Sequence, residues 1–183
     1  GSKLLTLTTG FGNVVESVRP SPDDSRVLLG MSGGGNVAGV HYRLLDAATL
    51  APIADIGGLF AARHVSAWRP DGALVAVSGG PARLALLHGQ TGALVAELPG
   101  HAAAVTDIDW RADGARLATA SADGSVRVWQ VDDNGGKSLK VLTRHCPWPC
   151  SALEVTSVRF VGPDGSVLLT AADDGSILAW QAL

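Results

Sequence analysis

The feature that most constrains this chain is a turn that keeps returning. Aspartate-containing turns stand at Asp23-Asp24, Asp71-Gly72, Asp113-Gly114 and Asp164-Gly165, at intervals of 48, 42 and 51 residues. Each follows one short apolar run and precedes another. Asp-Gly between such runs is a hairpin signal, because glycine supplies the positive φ of a tight turn. Self-similarity at this period marks an architecture of stacked units, each too small to bury its apolar faces alone.

The third unit is the most legible. From Gly100 to Val131 it reads Gly-His, then the runs Val105-Ile108-Trp110, Leu117-Thr119-Ser121 and Val126-Val128, separated by Arg-Ala-Asp-Gly and Ala-Asp-Gly-Ser. The run at residues 94–98 is expected to complete this unit as a fourth antiparallel strand. The stretch closely resembles the WD-repeat β-propeller family, with Trp129-Gln130 in place of the closing Trp-Asp. The resemblance implies an all-β chain of four blades, each of four antiparallel strands. The blades divide at about residues 3–50, 51–93, 94–136 and 137–183, forming half of a larger ring or pairing as a dimer.

It also implies a role for four polar residues. His101, Thr119, Asp123 and Trp129 occupy the family's buried hydrogen-bonded tetrad, in which the indole N–H donates to the threonine hydroxyl and the aspartate fixes the histidine ring. A blade with little core of its own must match its buried donors and acceptors internally. His145, Thr170, Asp174 and Trp180 repeat the set, with the Thr–Asp and Asp–Trp spacings unchanged. The second unit has Val77, Pro81 and Leu87 at the equivalent places and is expected to be held by packing alone. A hydrolase triad is the rival reading of His, Asp and hydroxyl. The duplication of the set and the lack of a nucleophile elbow favour structure.

In the first unit, Ser32-Gly33-Gly34-Gly35-Asn36 is read as a widened hairpin loop. No Gly-Lys-Ser/Thr follows it, so it is not a phosphate loop. The insertion after His145, Cys146-Pro147-Trp148-Pro149-Cys150, admits three readings. It is a metal site short of ligands, a small disulfide loop, or a proline-stiffened surface loop with reduced thiols. The resemblance places this loop on the narrower face of a ring, making Trp148, Cys146 and Cys150 candidate partner contacts.

A net charge of −3, with 14 basic and 17 acidic residues spread along the chain, argues against nucleic acid. Lys137, Lys140 and Arg144 read as a solvated strand edge. No apolar run is long enough to cross a bilayer as a helix, so no membrane partner is expected. Two cysteines favour a reducing, cytoplasmic setting, with cytoskeletal or ciliary locations open. Gly1-Ser2 reads as a tag scar (1–2), and the missing initiator Met suggests a piece of a longer protein.

The chain opens on the strand-like run at residues 4–7 and closes on the third strand of its last unit. One terminus therefore complements the other, and self-association through open blade edges is expected. The functional expectation is a non-catalytic scaffold that recruits protein partners of unknown identity, with no catalytic, metal or cofactor residues. One alternative is a ring module of a coat, cilium or cytoskeletal assembly. A second is an enzyme using the central channel, for which Glu16, His64, Asp107 and Asp109 show no paired spacing along their strands. A ubiquitin-ligase adaptor is disfavoured, since neither Trp129 nor Trp180 opens a Trp-Asp-x-Arg motif.

Overall fold

The computed structural model describes residues 6, 14–32, 40–58, 64–143 and 153–182. Among the described residues, fifteen strands form four antiparallel sheets. The first holds β1 (Val14–Pro20), β2 (Arg26–Ser32), β3 (Val40–Asp46) and β4 (Pro52–Gly57) in that order. The second holds β5 (Ser66–Trp68), β6 (Leu74–Gly79), β7 (Arg83–His88) and β8 (Leu94–Glu97). The third holds β9 (Val105–Trp110), β10 (Arg116–Ser121), β11 (Val126–Asp132) and β12 (Gly135–Leu142). In the fourth, β13 (Val155–Val161), β14 (Val167–Ala172) and β15 (Ile177–Gln181) are its three strands among the described residues.

Consecutive sheets stack face to face, and the core lies between them. Leu74 and Ala76 of β6 pack with Trp110, Leu117 and Trp129 of the third sheet. The alternate residues Val75 and Val77 pack with Leu28, Tyr42 and Leu44 of the first. This explains the unbroken run Leu74-Val75-Ala76-Val77: a strand covered on both faces has no polar side to present. Ala118, Ala120, Val126 and Val128 meet Val155, Val158 and Leu168 at the next junction.

One strand assignment needs correction. Residues 94–98 do not complete the sheet of Gly100–Val131, because β8 pairs with β7, Ala85 facing Glu97 and Leu86 facing Ala96. The cause is the tight turn at residues 88–93. Gly92, at φ 70°, donates its N–H to the His88 carbonyl, and His88 N–H bonds to Ala93 O. This closes a hairpin onto the strand already laid down, and the crossing to the next sheet comes later, at Pro99-Gly100. The sequence divisions at 51, 94 and 137 thus fall at or inside the outer strands β4, β8 and β12, each of which pairs backward. The repeat and the sheet are offset by one strand. Of the opening run at residues 4–7, all but Thr6 lies outside the described residues.

Candidate functional site

The tetrad of the third sheet is built from three elements. Thr119 lies on the second strand, β10, and Trp129 on the neighbouring β11. Asp123 sits in the turn joining them, where Gly124 at φ 80° lets the chain reverse, and His101 precedes β9. Trp129 Nε1–H donates to Thr119 Oγ1 at 3.0 Å, and His101 Nε2 lies 2.8 Å from the same oxygen. His101 Nδ1 lies 3.0 Å from Asp123 Oδ2. The indole is donor-only. The Asp123 carboxylate can only accept, so His101 Nδ1–H donates to it, and in that tautomer Nε2 accepts from the Thr119 hydroxyl.

Asp123 closes the circuit with Ser125 N–H at 2.8 Å, Ser125 Oγ at 2.6 Å and Ala102 N–H at 2.8 Å. Burial opposes its ionisation, but the donors from His101, Ser125 and Ala102 outweigh that and hold its carboxyl well below the ordinary range. Thr119 is fully buried and both its donor and acceptor roles are taken. A hydroxyl in this state is no nucleophile, because the base that would take its proton is sealed in with it.

In the fourth sheet, Trp180 Nε1–H donates to Thr170 Oγ1 at 2.9 Å, and Asp174 accepts Ser176 N–H at 2.8 Å. His145, Cys146, Trp148 and Cys150 lie outside the described residues, as does the loop at 33–36.

The expectation that the second unit is held by packing alone is overturned. Its junction with the first sheet carries a buried polar network in place of a tetrad. Tyr42 is fully buried, and its Oη lies 3.0 Å from the Ser78 carbonyl, 3.1 Å from the Val65 carbonyl and 3.3 Å from Ser78 Oγ. Val65 N–H donates to Ser78 Oγ at 3.0 Å. Burial pushes the Tyr42 hydroxyl far above its ordinary pKa. Beside it, His64 Nδ1 meets Glu16 Oε2 at 2.7 Å and its ring stacks on His41 at a centroid distance of 6.0 Å. Hydrogen bonds from Ser32 and then His64 lower the Glu16 pKa, while burial and then the nearby His64 lower that of His41. Gly30 makes room for this, since a Cβ there would stand 2.6 Å from His64 Cβ and 2.5 Å from Ser17 Oγ.

The channel candidates are therefore paired, but across sheets instead of along a strand. Glu16, His64 and Thr106 each stand seven residues before a turn aspartate, so they hold one repeat position, and Thr106 Oγ1 also crosses its junction, to Val155 O. Asp107 accepts from Ser157 Oγ at 3.0 Å, from Val158 N–H at 2.9 Å and from the Arg159 guanidinium. Asp109 accepts Phe160 N–H at 2.6 Å, and burial raises its pKa. Two further devices repeat between sheets. Trp68 and Trp110 donate their indole N–H to the preceding inner strand, at Arg19 O (3.1 Å) and Ala67 O (3.0 Å). Arg69 lies across Gly114 and Arg111 across Gly165, each bonded to its own turn aspartate. The recurring Arg-x-Asp-Gly was a visible signal for the second device; its reach into the next turn was not.

The sequence matches the family model described as "WD domain, G-beta repeat" over residues 92–130 and 136–181. These segments begin at the outer strands β8 and β12, so the family unit carries the same one-strand offset. No curated protein matches the chain. Among solved structures, it is similar to a chain of "Crystal Structure of Mitotic Checkpoint Complex", with a TM-score of 0.71 and 22% identity. The match covers 92% of this chain and 49% of that one, so the chain spans about half the length of this neighbour. At that identity the likeness establishes the fold.

Proposed function

Because the chain belongs to the WD-repeat β-propeller family, we propose that it is a non-catalytic scaffold that recruits protein partners through its loops and rim. The observation that carries this reading is the closed circuit of the third sheet. The His–Asp–hydroxyl arrangement of the third sheet, which resembles catalytic machinery, is largely buried, and each of its groups is bonded to another. Glu16, His64, Asp107, Asp109 and Arg159 are likewise taken up in bonds between sheets. What this architecture offers outward is a stiff frame with its turns exposed, which suits recognition. A cytoplasmic location fits two cysteines and a mild net negative charge. The partners are proteins, a second copy of the chain among them.

The test is affinity capture from a cell lysate on the immobilised chain, with the partner identified by mass spectrometry and its binding measured after purification. The proposal expects a saturable protein partner that a heat-denatured chain does not retain. Failure to retain any protein, together with turnover in hydrolase assays on the pure chain, would overturn it.

A further inference from the structure

We infer that Asn134 and Gly135, in the turn between β11 and β12, form a self-modification site: the Asn134 amide is lost as ammonia through a succinimide, leaving aspartate or isoaspartate. The reaction needs a side-chain amide that is exposed and free to turn. It also needs a following backbone nitrogen that no Cβ shields, which glycine provides. Five other turns place an Asp before a Gly, at Asp71, Asp113, Asp123, Asp164 and Asp174. Each is closed to this chemistry in the same way. Its Oδ1 accepts the N–H two residues on, at Ala73 (2.9 Å), Ala115 (3.0 Å), Ser125 (2.8 Å), Ser166 (3.0 Å) and Ser176 (2.8 Å). The side chain is tied down, and an ionised carboxylate resists attack by a nucleophile. At residues 132–135 the register differs. Asp132 Oδ1 takes the capping bond, and Asn134 supplies the N–H, at 2.8 Å. The Asn134 carboxamide therefore caps nothing. It is exposed, it makes no hydrogen bond among the described residues, and glycine follows at both 135 and 136. The other asparagines, Asn13 and Asn36, each precede a valine.

Water reaches both reacting atoms from a recess of about 440 Å³, lined by Gln130, Asp132, Asn134, Gly135, Gly136 and Lys137. Gly135 pairs with Asp132 as the last rung of the β11–β12 ladder, and ladder ends open most readily. The Gly135 nitrogen gives its proton to hydroxide and attacks Asn134 Cγ. The N–Cγ bond forms, the Cγ–Nδ2 bond breaks, and ammonia leaves. Water then opens the ring at one of its two carbonyls. Opening at the side-chain carbonyl restores the ordinary backbone with aspartate, and opening at the main-chain carbonyl routes the backbone through the side chain as isoaspartate. Either product takes the net charge from −3 to −4, one neutral amide becoming one carboxylate. The consequence reaches the neighbouring sheet. Asp133 accepts from Arg69 Nη2 at 2.6 Å, and Arg69 Nε donates to Asp71 at 2.8 Å, so this turn is tied to a turn of the second sheet. Isoaspartate lengthens the backbone beside that tie, whereas aspartate does not.

The experiment is a timed incubation of the folded full chain at neutral and at mildly alkaline pH. Peptide mapping by mass spectrometry follows residue 134, and an ammonia assay follows the leaving group. The fragment carrying residue 134 is expected to gain the mass difference between a hydroxyl and an amino group, with matching ammonia release, and both faster at the higher pH. Ion exchange should resolve a more acidic species, part of which accepts a methyl group from an isoaspartate-specific methyltransferase. Asn134→Gln, whose ring closure would need one more atom, is expected to lose the reaction while keeping the far-UV circular dichroism spectrum, since the position is exposed. The purified isoaspartate form is expected to melt below a freshly prepared Asn134→Asp chain. An Asn134 still intact when a free peptide of residues 131–138 has been converted would overturn the inference, because the folded turn would then protect it. Equal ammonia release from Asn134→Gln would overturn it as well, and equal melting of the two acidic forms would overturn the effect on the tie to Arg69.

Discussion

Thr119→Val is the sharpest perturbation of the tetrad, because it keeps the shape of the side chain and removes only the hydroxyl. Thr119 is fully buried, so no water replaces the lost group. The change leaves the Trp129 indole N–H without its acceptor and His101 Nε2 without its donor. A buried donor or acceptor left unpaired costs about 1–3 kcal/mol, so the two together give a loss of about 3 kcal/mol, allowing for partial relaxation. For a chain of this size each kcal/mol shifts the melting temperature by about 2–4 °C, so the expected drop is about 6–12 °C. Thermal melts followed by circular dichroism, at one fixed protein concentration, measure it. The second arm is Trp129→Phe, alone and combined with Thr119→Val. With the indole gone the stranded N–H is gone too, so the double variant is expected to lose less than the sum of the single losses. Additive losses, or a Thr119→Val melt within a degree of the parent, would refute the circuit as the source of blade stability.

Three further expectations follow from the junctions and the turn aspartates. The Asp123 carboxyl is held below its ordinary value of 3.8, so its bonds contribute fully above about pH 4 and are lost as the pH falls through the folded-state value. Asp123→Asn should therefore be clearly less stable than the parent at neutral pH, and the gap between their melting temperatures should narrow below about pH 4. Tyr42→Phe removes the hydroxyl that faces Ser78 and Val65 and is expected to cost about 1–2 kcal/mol in urea unfolding, with an unchanged m-value. Asp109→Asn keeps an acceptor for Phe160 N–H while removing a half-buried charge beside Asp107. It is expected to match or exceed the parent in melting temperature, whereas Asp109→Ala, which strands that N–H, should fall by about 1–2 kcal/mol.

What the sequence made legible was whatever lies inside one repeat. The turn aspartates, the alternating runs and the polar set at His101, Thr119, Asp123 and Trp129 can be found by spacing, because local geometry repeats them. What it concealed lies between repeats. Glu16 and His64 are 48 residues apart, and Tyr42 and Ser78 are 36 apart, with nothing in the intervening chain to show that their sheets face each other. Their shared repeat position was visible, but its occupants, a carboxylate and an imidazole, read as variation until the sheets were stacked. The strand at residues 94–98 failed for a related reason. Spacing locates a strand and says nothing of which neighbour it pairs with, and the turn at Gly92 decided that. Val77 and Leu87 likewise suggested a purely apolar unit, because the hydroxyls that serve it, on Tyr42 and Ser78, occupy no tetrad position.

The central claim, that the tetrad is a sealed structural circuit with no free chemistry, is tested most directly by hydrogen exchange at the Trp129 indole. Trp129 is 1% exposed and its N–H is committed to Thr119 Oγ1. In a proton–nitrogen NMR spectrum of the chain in deuterated buffer, the Trp129 Nε1–H signal should outlast that of Trp68, whose indole bond lies at an exposed position. It should shorten sharply in the Thr119→Val variant. A Trp129 signal that decays as fast as that of Trp68, or that is indifferent to Thr119→Val, would contradict the account.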